Sequence, residues 1–295
     1  MNNYQKWFLA SRPWSFSMTA ISVSVGSALA FLDGAFSWPL YLLTLLGMVF
    51  MHAATNLIND YYDVRSGVDS SAVSTAQYRP HPLLEGQLEL AHVRGVAWCL
   101  YGVVAAIGMY LAVSRGWMIL LIGLIGFAAS FTYTAPPVKY KHRALGEVGV
   151  LIMWGPLMVE GAYYVQHGVL SVQAFWVSLP FGVLVALVLL INNVRDIEND
   201  RAKGITTLPI LIGRKMGLTL YLMLIVIAFL SVVTMAWLGP LQPWSLLVLV
   251  SLPLAFQLFR QMIRNVPQDA DAQTAKLDTV FGVLLVVSLL LGGLA

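Results

Sequence analysis

The chain has 295 residues, 59% of them apolar and 11% charged, with a net charge of +3, against about 45–50% apolar and about 25% charged in soluble proteins. Mean hydropathy is +0.77. A water-facing surface needs more charge than this, so a soluble enzyme and a disordered chain are excluded. The one cysteine, Cys99, lies in an apolar run and leaves no disulfide or cysteine-metal framework; the composition is that of a polytopic membrane protein.

A helix needs about 20 mostly apolar residues to cross a hydrocarbon core of about 30 Å. In chain order the sequence predicts nine such spans: Trp14–Leu32, Leu40–Ile58, Val93–Val113, Trp117–Ala135, Val148–Gln166, Val172–Asn192, Met216–Leu238, Trp244–Met262 and Leu277–Leu294. Trp38, Trp117, Tyr133, Trp237 and Trp244 stand near their ends, where interfacial anchors belong. The first ten residues show no basic stretch, short apolar run and cleavage site, so no removable signal is expected.

The basic residues orient these spans. Lys6 and Arg12 precede the first. Arg65, Arg79 and Arg94 follow the second; Lys139, Lys141 and Arg143 follow the fourth. Arg195, Arg201, Lys203, Arg214 and Lys215 follow the sixth, and Arg260, Arg264 and Lys276 lie between the eighth and ninth. If the spans alternate, every Lys and Arg except Arg115 falls on one side, which the positive-inside rule makes cytoplasmic. The expectation is a multi-pass protein of the cytoplasmic (inner) membrane with a cytoplasmic N-terminus. The basic balance reflects topology and implies no nucleic acid.

Six of the fourteen acidic residues fall in two windows on that side. The second span ends in Asn56-Leu-Ile-Asn59-Asp60-Tyr61-Tyr62-Asp63-Val-Arg65, with Gly67 and Asp69 just beyond. The sixth ends in Asn192-Asn193-Val-Arg195-Asp196-Ile-Glu198-Asn-Asp200-Arg201-Ala-Lys203-Gly204. Helical continuation would align Asn56, Asp60 and Asp63 on one face, and Asn193, Asp196 and Asp200 on another. Four carboxylates opposed across a small volume repel one another unless cations intervene. Hard oxygen donors suit Mg²⁺, which shares its coordination with substrate phosphate oxygens. With Arg and Lys interleaved, the set is suited to a diphosphate. A secondary transporter would instead bury its acids near the midplane; here Glu160 alone is placed deep. A duplicated four-helix unit with an added ninth helix is suggested by the even-numbered positions of both windows, within a single domain over residues 1–295.

These windows resemble the UbiA-type intramembrane prenyltransferases, with an Asn-Asp-x-x-Asp motif after the second helix and an Asp-x-x-x-Asp motif after the sixth. Within that family Asn59-Asp60-Tyr-Tyr-Asp63 with Gly67-Val-Asp69, and Asn192-Asn193-Val-Arg195-Asp196 running to Gly204-Ile-Thr206-Thr207-Leu208, are similar to the branch acting on 1,4-dihydroxy-2-naphthoate in menaquinone biosynthesis. Arg12-Pro13, Tyr133-Thr-Ala-Pro136-Pro137 and Gly155-Pro156 are similar too. Tyr78-Arg79-Pro80-His81-Pro82 looks more like other branches, and Ile205 stands where a basic residue often follows the glycine.

The resemblance implies an all-α fold of nine transmembrane helices around a lateral cavity, with both motifs in a cytoplasmic cap. It implies a polyprenyl diphosphate donor and an aromatic acceptor, with other acceptors (4-hydroxybenzoate, homogentisate, a chlorophyllide, a glycerol lipid) as the alternative. Mg²⁺ would be held by Asp60, Asp63, Asp196 and Asp200, with Asp69 ligating metal or activating the acceptor. Arg65, Lys139 and Lys203 are the expected oxyanion partners, and Asn56, Asn59 and Asn193 would hold substrate oxygens or orient carboxylates. Tyr133, with Tyr61 and Tyr62, would offer aromatic faces to an allylic cation. His52, one turn before Asn56, is read as a packed neutral histidine or an acceptor contact.

Overall fold

The computed structural model describes residues 2–68 and 81–294. Among them there is no strand, only an isolated bridge between Arg143 and Thr206. A short amphipathic helix, α1 (Asn3–Ala10), precedes the first span and was not expected from the sequence. The Asn2 side chain accepts from the Gln5 N–H at 2.9 Å and the Gln5 side chain accepts from the Asn2 N–H at 3.1 Å, a reciprocal cap.

The spans follow in order: α2 (Phe16–Leu32), α3 (Trp38–Arg65), α4 (Leu90–Arg115) and α5 (Met118–Thr132). The fifth is divided into α6 (Gly146–Ile152) and α7 (Met158–His167) by a π-helical turn over Met153–Leu157. Next come α8 (Val172–Arg195), the short α9 (Ile197–Ala202) and α10 (Leu208–Ile212), and α11 (Arg214–Leu238). A 3₁₀ run at Pro243–Ser251 leads into α12 (Leu252–Arg264), and α13 (Ala270–Leu294) closes the bundle. Eight of these stretches are long and apolar enough to cross a membrane. The fourth expected span, α5, has 15 residues, about 22 Å at 1.5 Å per residue.

The largest core lies where α2, α8 and α13 pack together with α7, α11 and α12, around Phe181, Tyr221, Phe281 and Leu187. Backbones approach closely there: a Cβ on Gly26 of α2 would run into the Val159 carbonyl of α7. A second core joins α1, α3, α4 and α5 through Ala10, Met51, Leu57, Ile58 and Tyr101. The space between the two cores forms the cavities described below.

One end of the bundle gathers the basic connections. The α5–α6 loop pairs with the α9–α10 loop through Ala144 N–H to Thr206 O (2.8 Å) and Thr206 N–H to His142 O (3.2 Å). Lys203 donates to the Val68 carbonyl, and Arg195 to that of Gln268 at 2.5 Å. At the opposite end, Arg115 donates to the Val165 and Gln166 carbonyls, and Gln166 exchanges hydrogen bonds with the Ser37 backbone. Glu160 belongs to this opposite end and is not deep. It accepts from Ser171 N–H at 3.1 Å, at the start of α8, because the break in the fifth span leaves it only seven residues before the end of α7.

Candidate active site

The second span runs on as one helix to Arg65, seven residues past its apolar stretch, so Asn56, Asp60 and Asp63 share one continuous helix, but of the three only Asn56 and Asp63 line the chamber. Asn56, Asn59 and Asp63 line this chamber with Arg12, His52, Tyr133, Tyr140, Lys141, Trp154 and Asn192. Its volume is about 220 Å³. Asp60, one residue past Asn59, turns instead to Arg12, whose guanidinium donates to its carboxylate. Arg12 has a φ of +56°, in the left-handed region, at the turn into α2. Asn56 holds that turn, donating to Ser11 O at 2.9 Å and to Ser15 Oγ at 3.3 Å.

Asp63 is 2% exposed. Lys141 donates to its Oδ2 at 2.7 Å, and His142 Nε2 lies 3.4 Å from its Oδ1. That Oδ1 is buried without a hydrogen-bond donor. Asn59 Oδ1 accepts from Thr134 Oγ1 at 2.8 Å. The cation in contact with the first motif from the α5–α6 loop is thus Lys141. Lys139, the residue expected from the sequence, sits two positions earlier at φ +46° and is not among the chamber's lining residues. Arg65 likewise turns outward and donates to Tyr61 Oη at 2.8 Å, with Arg94 on the same ring. Tyr61 and Tyr62 are not among the chamber's lining residues: Tyr61 is held by Arg65 and Arg94, and Tyr62 packs on Phe131. Asp69 lies outside the described residues.

The second motif departs from the expected single face. The helix ends at Arg195, Asp196 caps it, and α9 begins at Ile197, so Asn193, Asp196 and Asp200 do not share one continuous helix. Asn193 is buried and donates to Glu147 Oε1 at 2.9 Å, while its neighbour Asn192 faces the chamber. Arg195 grips Asp196 with two bonds (3.0 and 2.7 Å) and reaches Asp271 at 2.9 Å, tying α13 to the motif. Asp200 is partly buried. Burial pushes its carboxyl up to about 6; Lys141, Lys203 and His142 act against that, and Asp196 adds to it. Lys141 and His142 therefore stand electrostatically between the two motifs, contacting Asp63 and acting on Asp200. The carboxylates are compensated by basic side chains, since buried negative charge must be countered from nearby.

His52 is the centre of a hydrogen-bond chain. Ser15 gives its proton to the Arg12 carbonyl (2.7 Å), so it accepts from His52 Nε2 at 3.2 Å. The neutral ring then accepts at Nδ1 from Thr19 Oγ1 (2.8 Å), which accepts from Trp154 Nε1 (3.2 Å). Tyr133 and Tyr140 meet edge to face at 5.2 Å, with Lys141 Nζ 5.8 Å from the Tyr133 centroid. Burial pushes the Tyr133 hydroxyl up to about 12, so it stays protonated.

Below the chamber a larger apolar cavity of about 560 Å³ runs between α3, α4, α5 and α7. Its α4 wall extends from Trp98 to Leu111, about 20 Å along the helix. Apolar side chains and glycines make up nearly all its surface, including Gly102, Gly108, Gly123 and Phe127. A chamber that holds Asp63 with Arg12 and Lys141 therefore adjoins a long apolar cavity, with which it shares lining residues.

The model of the UbiA prenyltransferase family matches residues 19–290. The chain belongs to the UbiA prenyltransferase family. It is similar to the 1,4-dihydroxy-2-naphthoate octaprenyltransferase of Bacillus subtilis, at 31% identity over 95% of this chain and 91% of that protein. It is also similar to UbiA prenyltransferase domain-containing protein 1 of Gallus gallus, at 35% identity over 97% of this chain and 84% of that protein. Its fold is shared with a UbiA homolog from Archaeoglobus fulgidus bound to GPP and Mg²⁺ (TM-score 0.63, 17% identity, 96% of this chain and 99% of that chain). The protein is an integral multi-pass membrane enzyme, a prenyltransferase of all-helical fold.

The donor set fits a hard divalent cation. Asp63 offers a buried oxygen with no hydrogen bond, and Asp60, Asp196 and Asp200 add further carboxylates. Among the described residues no group of three or more His, Cys, Asp or Glu is gathered closely enough to hold a metal alone. A metal here would draw on carboxylates from both motifs together with water and substrate oxygens, the shell that Mg²⁺ takes in phosphate sites. His142 and Glu147 escaped the sequence reading, and Arg12, Lys141 and Asn192 were noted there without a place in the site. Lys141 and Arg12 stood beside recognised motifs, but nothing in the sequence pairs them with Asp63 and Asp60.

Proposed function

We propose that the protein transfers a polyprenyl group from a polyprenyl diphosphate to 1,4-dihydroxy-2-naphthoate, with loss of CO₂, to give demethylmenaquinone. The observation that carries this reading is the adjacency of a chamber holding Asp63, Arg12 and Lys141 to an apolar cavity about 20 Å long, since a substrate with a charged head and a long hydrocarbon tail would use both. The choice of acceptor draws support from the similarity to the Bacillus subtilis enzyme and from the motif residues around Asp60 and Asp196.

In this reading the diphosphate lies at the basic end, with Mg²⁺ held by Asp60, Asp63, Asp196 and Asp200. The metal supplies charge neutralisation at the diphosphate as the allylic C–O bond breaks. Arg12 and Lys141 exchange their carboxylate partners for diphosphate oxygens, with Lys203 behind them. Tyr133, Tyr140 and Trp154 present aromatic faces to the allylic carbon, where an aromatic ring stabilises positive charge within about 6 Å. Asn56 and Asn59 keep the Arg12 turn and the Thr134 loop in register, and Asn192 faces the acceptor. The electron-rich naphthoate ring carbon attacks C1 of the prenyl group; CO₂ and a proton leave, and aromaticity returns. The basic end faces the cytoplasm of the inner membrane by the distribution of Lys and Arg.

The test uses purified protein in nanodiscs with radiolabelled polyprenyl diphosphate, Mg²⁺ and a panel of aromatic acceptors. Mg²⁺-dependent product with dihydroxynaphthoate, lost in Asp60→Asn and Asp200→Asn, is the expected result. Product with another acceptor alone overturns the acceptor assignment; unaltered rates in both variants overturn the metal site.

A further inference from the structure

The polar chamber and the apolar cavity share four lining residues, Met48, Met51, Met153 and Met158, and no other. Met48 and Met51 lie one turn apart on α3 and face the same way. Met153 and Met158 are five residues apart, a spacing that an α-helix would splay by about 140°. The π turn between them closes i to i+5 and returns both to one face. Its cause is local: Pro156 has no N–H to donate, and Gly155 leaves helical geometry at φ −83°, ψ −109°. Gly155 is also pressed against Gly182 of α8, where an added Cβ would sit 2.8 Å from its Cα.

All four side chains lie at the boundary of the two cavities. Met48 packs against the cluster containing Met51 and against the one containing Met158. The Met153 methyl reaches across to α5, 3.8 Å from where a Cβ on Gly126 would lie. All four are buried or partly buried.

We propose that these four methionines are a collar around the first isoprene unit of the donor, which excludes water from the allylic carbon and adapts to the chain threaded through it. The inference rests on the donor placement proposed above, with the diphosphate among the carboxylates and the tail in the apolar cavity. Methionine suits such a collar because it is unbranched, polarisable and able to reshape around a moving chain. Shielding a reactive carbon from water suppresses the side reaction. In that side reaction the C1–O bond to diphosphate breaks, a bond forms from C1 to a water oxygen, and the water proton leaves with the diphosphate. The product is prenyl alcohol.

The experiment follows prenyl alcohol from radiolabelled geranyl diphosphate and Mg²⁺, with the full chain in nanodiscs, first without acceptor and then with dihydroxynaphthoate. Met51→Ala and Met153→Ala are expected to raise alcohol formation at least about threefold, because each truncation opens a path for water. Met51→Leu and Met153→Leu keep the volume and are expected to match the parent protein. Folded alanine variants with unchanged alcohol formation overturn the collar, as do leucine variants that leak equally. If the alanine variants fail to fold, the M51L/M153L double variant decides. Its preference for octaprenyl over geranyl donor should shift at least about twofold, because branched Leu adapts less well than Met; an unchanged preference overturns the proposal. Alcohol release by the variants with no naphthoate product from the parent would overturn the acceptor assignment and leave the collar standing.

Discussion

Lys141→Met tests whether the cation on Asp63 holds the site together. Asp63 has a side chain 3% exposed, Lys141 is 26% exposed, and the pair meets at 2.7 Å. Removing one partner of a buried ion pair costs about 3–5 kcal/mol because the other charge is left uncompensated. Here the partial exposure of Lys141 and the nearness of His142, 3.4 Å from the other carboxylate oxygen, reduce that to about 2–3 kcal/mol. At roughly 2–4 °C per kcal/mol the unfolding midpoint should fall by about 4–12 °C. The assay is thermal unfolding in a fixed detergent, followed by tryptophan fluorescence, for Lys141→Met, Asp63→Asn and the double variant. Since the single variant strands a charge, the double variant should recover at least half of the loss. A Lys141→Met midpoint equal to the parent's, or a double variant no more stable than Lys141→Met, would refute the reasoning.

Transfer activity should fall as pH drops through about 6, where the raised Asp200 carboxyl takes up a proton and weakens as a metal ligand; a pH–rate profile at limiting Mg²⁺ checks this, and Asp200→Asn should lack that acid limb. The stability effect of the same group runs the other way. The folded state binds its proton more tightly than the unfolded chain does, so this group's contribution falls as pH rises from about 3.8 to about 6 and is level above. Gly182→Val should destabilise the fold by about 1–3 kcal/mol or more, read as a lower unfolding midpoint, because its side chain meets Gly155 Cα and the Leu151 carbonyl inside 3 Å. Glu160→Gln should leave transfer rates at the parent level, with a loss of stability of at most about 1 kcal/mol, since the residue accepts from Ser171 N–H far from the chamber.

The multi-pass, all-helical architecture was readable along the chain. Apolar runs must be buried in lipid or protein, and their lengths and the basic residues between them are local quantities that a linear reading captures. Asn56 and Asp63 were legible as sharing a face because the helix that carries them is unbroken; that Asn59 joins them in the chamber while Asp60 turns to Arg12 was not. The second motif was not, because where α8 stops depends on Arg195 reaching both Asp196 and Asp271, 75 positions apart. Charge pairing is a tertiary matter in the same way: Arg12 to Asp60 and Lys141 to Asp63 join connections 48 and 78 residues apart. A π turn shows both sides. Gly155-Pro156 announces a break in the fifth span, but only packing against Gly182 decides that the break turns Met153 and Met158 toward one cavity. Spacing along a chain specifies which side chains share a helix face; which charges and side chains meet across helices is decided by how those faces close on one another.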